Sequence, residues 1–109
     1  MLALEGEGLA ENFRAWRGRS GRRYVVTIHD IDSAAVACDY EGALLLAVRR
    51  DHRGEPALIG GRDSGLPGAD DENWRWLRAM RARGATEIHV HLLARSQAAR
   101  QGALCDLVA

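Results

Sequence analysis

The stretch Thr86-Glu87-Ile88-His89-Val90-His91-Leu92-Leu93 decides how the rest of this chain is read. Ile88, Val90 and Leu92 alternate with Glu87, His89 and His91, the period of two that a pleated strand requires. A helical pattern lies on either side of it. The strand therefore reads as the spine that ties two helices to a sheet.

Upstream, Trp74 to Arg83 carries Trp76, Leu77 and Met80 at helical spacing. Asp70 or Asp71 can cap its start, Glu72 complements its positive N-terminal end, and Gly84 stops it. Downstream, Ser96 caps a last helix on which Ala99, Ala103, Leu104, Leu107 and Val108 can line one side. Further back, Arg23 to Ile31 reads as a strand with apolar residues on both sides, and so as one covered on both faces. Ala43 to Arg50 is a second strand, Asp51-His52-Arg53-Gly54 a turn, and Pro56 to Gly60 a third strand, which makes residues 43 to 60 a hairpin. Leu9, Phe13 and Trp16 fit a short helix before the break at Gly18, Ser20 and Gly21. Ala34 to Tyr40 fits either a loop or a single helical turn. Gly60, Gly61, Gly65, Pro67 and Gly68 read as an exposed loop whose spacing matches neither phosphate-binding glycine motif. The fold class that follows is α+β. We expect a single domain from 13 to 109 behind a loose lead-in at 1–12, with a mixed, mainly antiparallel four-stranded sheet in the order α-β-β-β-α-β-α.

At 109 residues the chain suits one domain, and 47% hydrophobic content can support its core. Formal net charge is zero, so overall charge selects no partner, but its placement is uneven. Glu5, Glu7 and Glu11 come first; Arg14, Arg17, Arg19, Arg22 and Arg23 follow with no acid between them. Every basic residue is arginine, which together with abundant alanine and glycine points to a GC-rich bacterial genome. Cys38 and Cys105 form no CxxC and suit reduced thiols in the cytoplasm. Met1 to Ala10 has no secretory-signal pattern, and no apolar run is long enough to span a bilayer.

Three clusters are candidates for function. His89 and His91, two apart on a strand, project to one face and can share a metal if Glu87 or His29 adds a ligand; the competing reading is a polar strand face. Arg14, Arg17, Arg19, Arg22 and Arg23, interleaved with Trp16 and Tyr24, suit nucleic acid, with guanidinium groups on phosphates and rings on bases. Against that stands a solvated connector with both rings in the core. On the helix, Trp74, Arg75 and Arg78 suit a binding or self-association surface, or a cation–π pair of Trp74 with Arg78. No catalytic spacing surrounds Ser20, Ser33, Ser64, Ser96, Cys38, His29 or His52.

The segments Trp16-Arg17-Gly18-Arg19-Ser20-Gly21-Arg22-Arg23-Tyr24-Val25-Val26 and Glu87 to Ala94 resemble a family of small bacterial proteins with no assigned activity. A second resemblance is to the GIY-YIG nuclease domain. It would set Arg23-Tyr24-Val25 at the first motif, Leu58-Ile59-Gly60 at the second, and Arg75 or Arg78 as the helix arginine; Cys105 and Asp106 stand where that family has a metal-binding glutamate. The order from Leu9 to Arg83 is also similar to a double-stranded-RNA-binding domain, with Asp70, Asp71 and Glu72 in place of its basic cluster.

The expected function is a non-enzymatic binding or interaction domain that needs no cofactor and contacts nucleic acid through the arginine run. The alternatives are a degenerate GIY-YIG-type phosphodiesterase and a homo-oligomeric module. Partners are thus nucleic acid, another protein or a second copy, with no membrane.

Overall fold

The computed structural model describes residues 4–5, 13–33, 42–65 and 69–108. Its centre is the opening stretch. Strand β6 (Glu87–His91) is flanked on one side by β3 (Arg23–Asp30) and on the other by β4 (Leu44–Arg50). Beyond β3 lie β2 (Phe13–Arg17) and the two-residue β1 (Leu4–Glu5); beyond β4 lies β5 (Pro56–Asp63). The sheet order is β1-β2-β3-β6-β4-β5, and every neighbouring pair is antiparallel. Two hairpins, β2–β3 and β4–β5, are thus joined through a strand that arrives late in the chain.

This corrects the expected four-stranded mixed sheet. Among the described residues there are five strands of five to eight residues plus the two-residue β1. The expected opening helix over Leu9 to Trp16 gives way to a strand from Phe13, so the described order begins with strands. Five residues are too few to separate the two periods: Phe13 and Trp16 fit a helical face, but Arg14 and Trp16 equally share one strand face. What decides is the turn. Gly18 N–H donates to the Arg22 carbonyl at 2.8 Å, and Gly21 adopts φ +88°. That geometry folds Phe13–Arg17 back on Arg23–Thr27. The crossover from β5 to β6 brings no parallel pair either, because β4 lies between them.

The helices cover opposite faces of the sheet. Helix α1 (Ala69–Ala82) places Leu77 and Met80 against Leu45, Ala47, Ile88 and Val90, with Trp76 half-buried at the margin. Its end is sealed by Gly84 at φ +96° and by the Ala85 N–H donating to the Met80 carbonyl. Helix α2 (Gln97–Val108) places Ala103 and Leu107 against Leu44, Leu46, Val48, Val26, Tyr24 and Trp16. Ser96 caps it, its hydroxyl accepting from the Ala99 N–H at 3.1 Å. Of the expected stripe on this helix, Ala103 and Leu107 are buried and Leu104 is partly buried, whereas Ala99 and Val108 are exposed. With both faces covered, Leu44 to Val48 on β4 are wholly buried.

Gly60 and Gly61 belong to β5 and not to an exposed loop. The register slips opposite Ala47, where β5 supplies both Ile59 and Gly60. A Cβ at Gly60 would lie 2.7 Å from the Met80 sulfur on α1; one at Gly61 would lie 2.5 Å from Leu104 Cδ1 on α2. Adjacent glycines therefore let both helices approach the same strand from opposite sides. The expected turn at Ala34–Tyr40, Cys38, Pro67 and Gly68 lie outside the described residues. No helix among the described residues is long and apolar enough to cross a membrane.

Candidate functional site

His89 and His91 share a strand face, as their spacing requires, but that face is buried beneath α2, with the Trp16 side chain reaching in from β2. The half-exposed polar surface expected there is absent. His29 pairs across to Ile88, while its neighbour Ile28 pairs to His89, so His29 projects to the other face. The three histidines do not converge. Among the described residues no group of three or more His, Cys, Asp or Glu could hold a metal ion.

His89 is fully buried and both of its nitrogens are used. Trp16 Nε1–H donates to Nδ1 at 2.9 Å. An indole can only donate, so Nδ1 carries the lone pair and the proton sits on Nε2. Nε2–H then donates to Glu87 Oε1 at 2.9 Å. The other Glu87 oxygen accepts from Arg50 Nε at 2.9 Å, and Arg50 also donates to the Gly54 carbonyl. Burial holds the His89 pKa below the ordinary imidazole value, overriding the opposing pull of Glu87. Burial also pushes Glu87 upward, but the hydrogen bonds from Arg50 and His89 outweigh it and leave that carboxyl below its usual value. The relay Trp16–His89–Glu87–Arg50 is closed: His89 has no lone pair left for a metal or a substrate.

His91 differs. Its Nδ1–H donates to the Val25 carbonyl at 2.7 Å, so in the neutral ring the lone pair lies on Nε2. Its ring meets the Tyr24 ring edge-on, with centroids 5.5 Å apart. Both rings line a surface cavity of about 640 Å³ between the sheet and α2. Ala98, Ala99 and Gly102 of α2 form one wall, Leu93 stands at the margin, and Ser20, Arg22 and Asp106 close one end.

That end is stapled by Asp106. Its Oδ1 accepts the Ser20 N–H at 2.8 Å; its Oδ2 accepts the Ser20 hydroxyl at 2.6 Å and the Tyr24 hydroxyl at 2.8 Å. The Arg19 N–H donates to its backbone carbonyl. The hydrogen bonds from Ser20 and Tyr24 hold the Asp106 carboxyl below the usual range. Burial raises the Tyr24 hydroxyl above its ordinary value, helped by Asp106 and opposed by the nearby charge of Arg22. Gly18 has to be glycine here, because a Cβ would collide with the Asp106 carboxylate.

The arginine run divides at this hairpin. Trp16 (1% exposed) and Tyr24 are buried on the α2 side of the sheet, so neither ring lies among the exposed arginines of the turn. Arg17, Arg19, Arg22 and Arg23 are exposed around the turn; Arg14 is half-buried. The helix candidates lie elsewhere. Trp74, Arg75 and Arg78 are exposed on α1, across the sheet from the cavity. The strands bearing Arg23-Tyr24-Val25 and Leu58-Ile59-Gly60 are separated by β6 and β4, so the residues matched to the nuclease motifs do not meet in one cleft.

Two features had no signal in the sequence. Asp106 acts on Ser20 from 86 residues away. Arg100 of α2 is buried, and its Nε donates to Asp63 Oδ1 at 2.6 Å while its Nη1 donates to the Gly42 carbonyl. The chain matches no protein-family model, no curated protein and no solved structure.

Proposed function

We propose that this protein is a non-enzymatic binding domain that contacts the phosphates of nucleic acid through the β2–β3 hairpin. The observation that carries this reading is the exposure of Arg17, Arg19, Arg22 and Arg23 around one turn that Asp106 and Ser20 hold against α2. A guanidinium group presents a planar fork of donors that fits phosphate oxygens, and a stapled turn loses little freedom on binding. The inward-facing Trp16 and Tyr24 make the contact one of backbone charge with little base stacking. Binding should therefore be tolerant of sequence and strongly dependent on salt.

Fluorescence anisotropy with labelled single- and double-stranded DNA and RNA, titrated across salt concentrations, tests this. Log affinity should fall linearly with log salt. Each of Arg19→Ala and Arg22→Ala should reduce the slope by roughly 0.7–0.9, the contribution of one phosphate contact. Absence of binding to all four nucleic acids at low salt rejects the reading.

A further inference from the structure

We propose that the cavity between α2 and the β3–β6 face binds a small anionic molecule that combines a flat ring with an N–H or O–H donor. The proposal shares Arg22 with the hairpin reading and rests on that reading only there.

Two independent observations point to an occupant. The first is Gly102, in the body of α2. A glycine inside a helix is less favourable than alanine by roughly 0.5–1 kcal/mol. Unlike Gly60 and Gly61, it gives room to no neighbour: a Cβ there meets nothing within 4 Å. The space it leaves opens on the cavity. The second is His91, a side chain only 5% exposed whose Nδ1–H is committed to the Val25 carbonyl. Its Nε2 is an acceptor at the cavity wall, and no described residue donates to it. The residue is held at the cavity wall with that nitrogen open to the cavity, so a ligand donor can replace solvent on it.

The surroundings define what fits. The volume of about 640 Å³ lies within the range of small-molecule sites and far exceeds the needs of an inorganic ion. Ala98, Ala99 and Gly102 give a low, flat wall suited to a ring, with the Tyr24 and His91 rings on the sheet side. Arg22 supplies a cation at the end where Asp106 stands, its charge facing that carboxylate, whose oxygens accept from Ser20 and Tyr24. A ring lying on α2, its donor on His91 Nε2 and its anionic arm toward Arg22 uses each of these groups. Nucleoside monophosphates and aromatic carboxylates bearing an N–H share that chemistry.

Titration of the intact protein, followed by amide chemical shifts, tests the site with AMP, GMP, CMP, UMP, their nucleosides, indole-3-carboxylate and inorganic phosphate. The expected result is saturable shifts at Tyr24, His91, Ala99 and Gly102 for at least one ring-bearing anion, with the matching nucleoside or phosphate alone about tenfold weaker. Whether nucleotides or indole-3-carboxylate bind better identifies the source of the anion. Gly102→Leu should fill the space and abolish these shifts while leaving oligonucleotide binding at the hairpin intact. His91→Asn keeps a donor near the Val25 carbonyl, removes the Nε2 acceptor, and should weaken binding about tenfold. No shift with any ring-bearing anion overturns the proposal, as does unchanged affinity in both variants. Oligonucleotide binding without small-molecule binding removes this site and leaves the hairpin reading standing; the converse removes the hairpin reading alone.

Discussion

His89 and His91 sit two residues apart on one strand and face the same way, yet they have opposite chemical standing. His89 lies where the Trp16 side chain of β2 reaches over β3 to its Nδ1, so it is sealed inside a relay that ends at Arg50. His91 lies one pleat further, where backbone from β3 takes one nitrogen and a cavity meets the rest. The residue type and the strand are the same. What differs is the neighbour supplied by another part of the chain: an obligate donor in one case, a carbonyl and open space in the other.

The largest expected break in this contrast is His89→Ala. It strands a buried indole N–H, frees the Glu87 carboxylate and leaves a void, and should cost about 3 kcal/mol of stability in urea unfolding. His91→Asn should cost less than about 1 kcal/mol by the same measurement, since its amide can still donate to Val25. Equal losses would erase the distinction between the sealed and the open ring.

Proton linkage gives a second difference. The unfolded chain binds a proton at His89 near the ordinary value of about 6.5, whereas burial lowers the folded value. Between those two values the unfolded state holds more protons, so stability is complete above about pH 6.5 and falls as pH drops toward the folded value. The slope should approach at most about 1.4 kcal/mol per pH unit for this group. His29 is lowered by burial as well and adds in the same direction. Urea unfolding in wild type and His89→Ala across that window measures the effect; equal slopes would reject it.

Trp16→Phe sharpens the point. Removing the indole donor frees Nδ1 to accept a second proton, so the His89 imidazole should titrate at higher pH than in wild type by NMR. An unchanged titration would mean that Trp16 does not set its protonation state. The smallest effect concerns a glycine. Gly102→Ala should raise stability by roughly 0.5–1 kcal/mol, whereas Gly60→Ala should lower it because Met80 already occupies the space.

Much of the architecture was legible in local pattern. The alternation at Ile88 and Val90 marked β6, the turn at Asp51–Gly54 marked the β4–β5 hairpin, and Gly84 marked the end of α1. The helical spacing of Trp76, Leu77 and Met80 marked the inner face of α1, and Trp74, off that stripe, is exposed. The misreadings were those in which a short segment fits two periods or a side chain depends on a distant partner. Phe13–Arg17 fits both helix and strand until the glycine turn pairs it with β3. Leu92 continues the alternation in sequence, but β6 ends at His91 and Leu92 is exposed. Asp106 carries no motif; its role exists only because the hairpin is folded onto α2.

From the sequence alone, then, come a strand beginning at Glu87, the shared face of His89 and His91, the second hairpin and the helices on either side of that strand, because each is dictated by periodicity, capping or turn chemistry within a few residues. Only the tertiary structure decided that β6 stands between β3 and β4, that His29 faces away, that Trp16 seals His89 and that His91 borders a cavity. Those outcomes depend on which segments meet across the sheet. They are set by the joint burial of surfaces contributed by residues as far apart as Trp16 and His89, and no local pattern encodes that pairing.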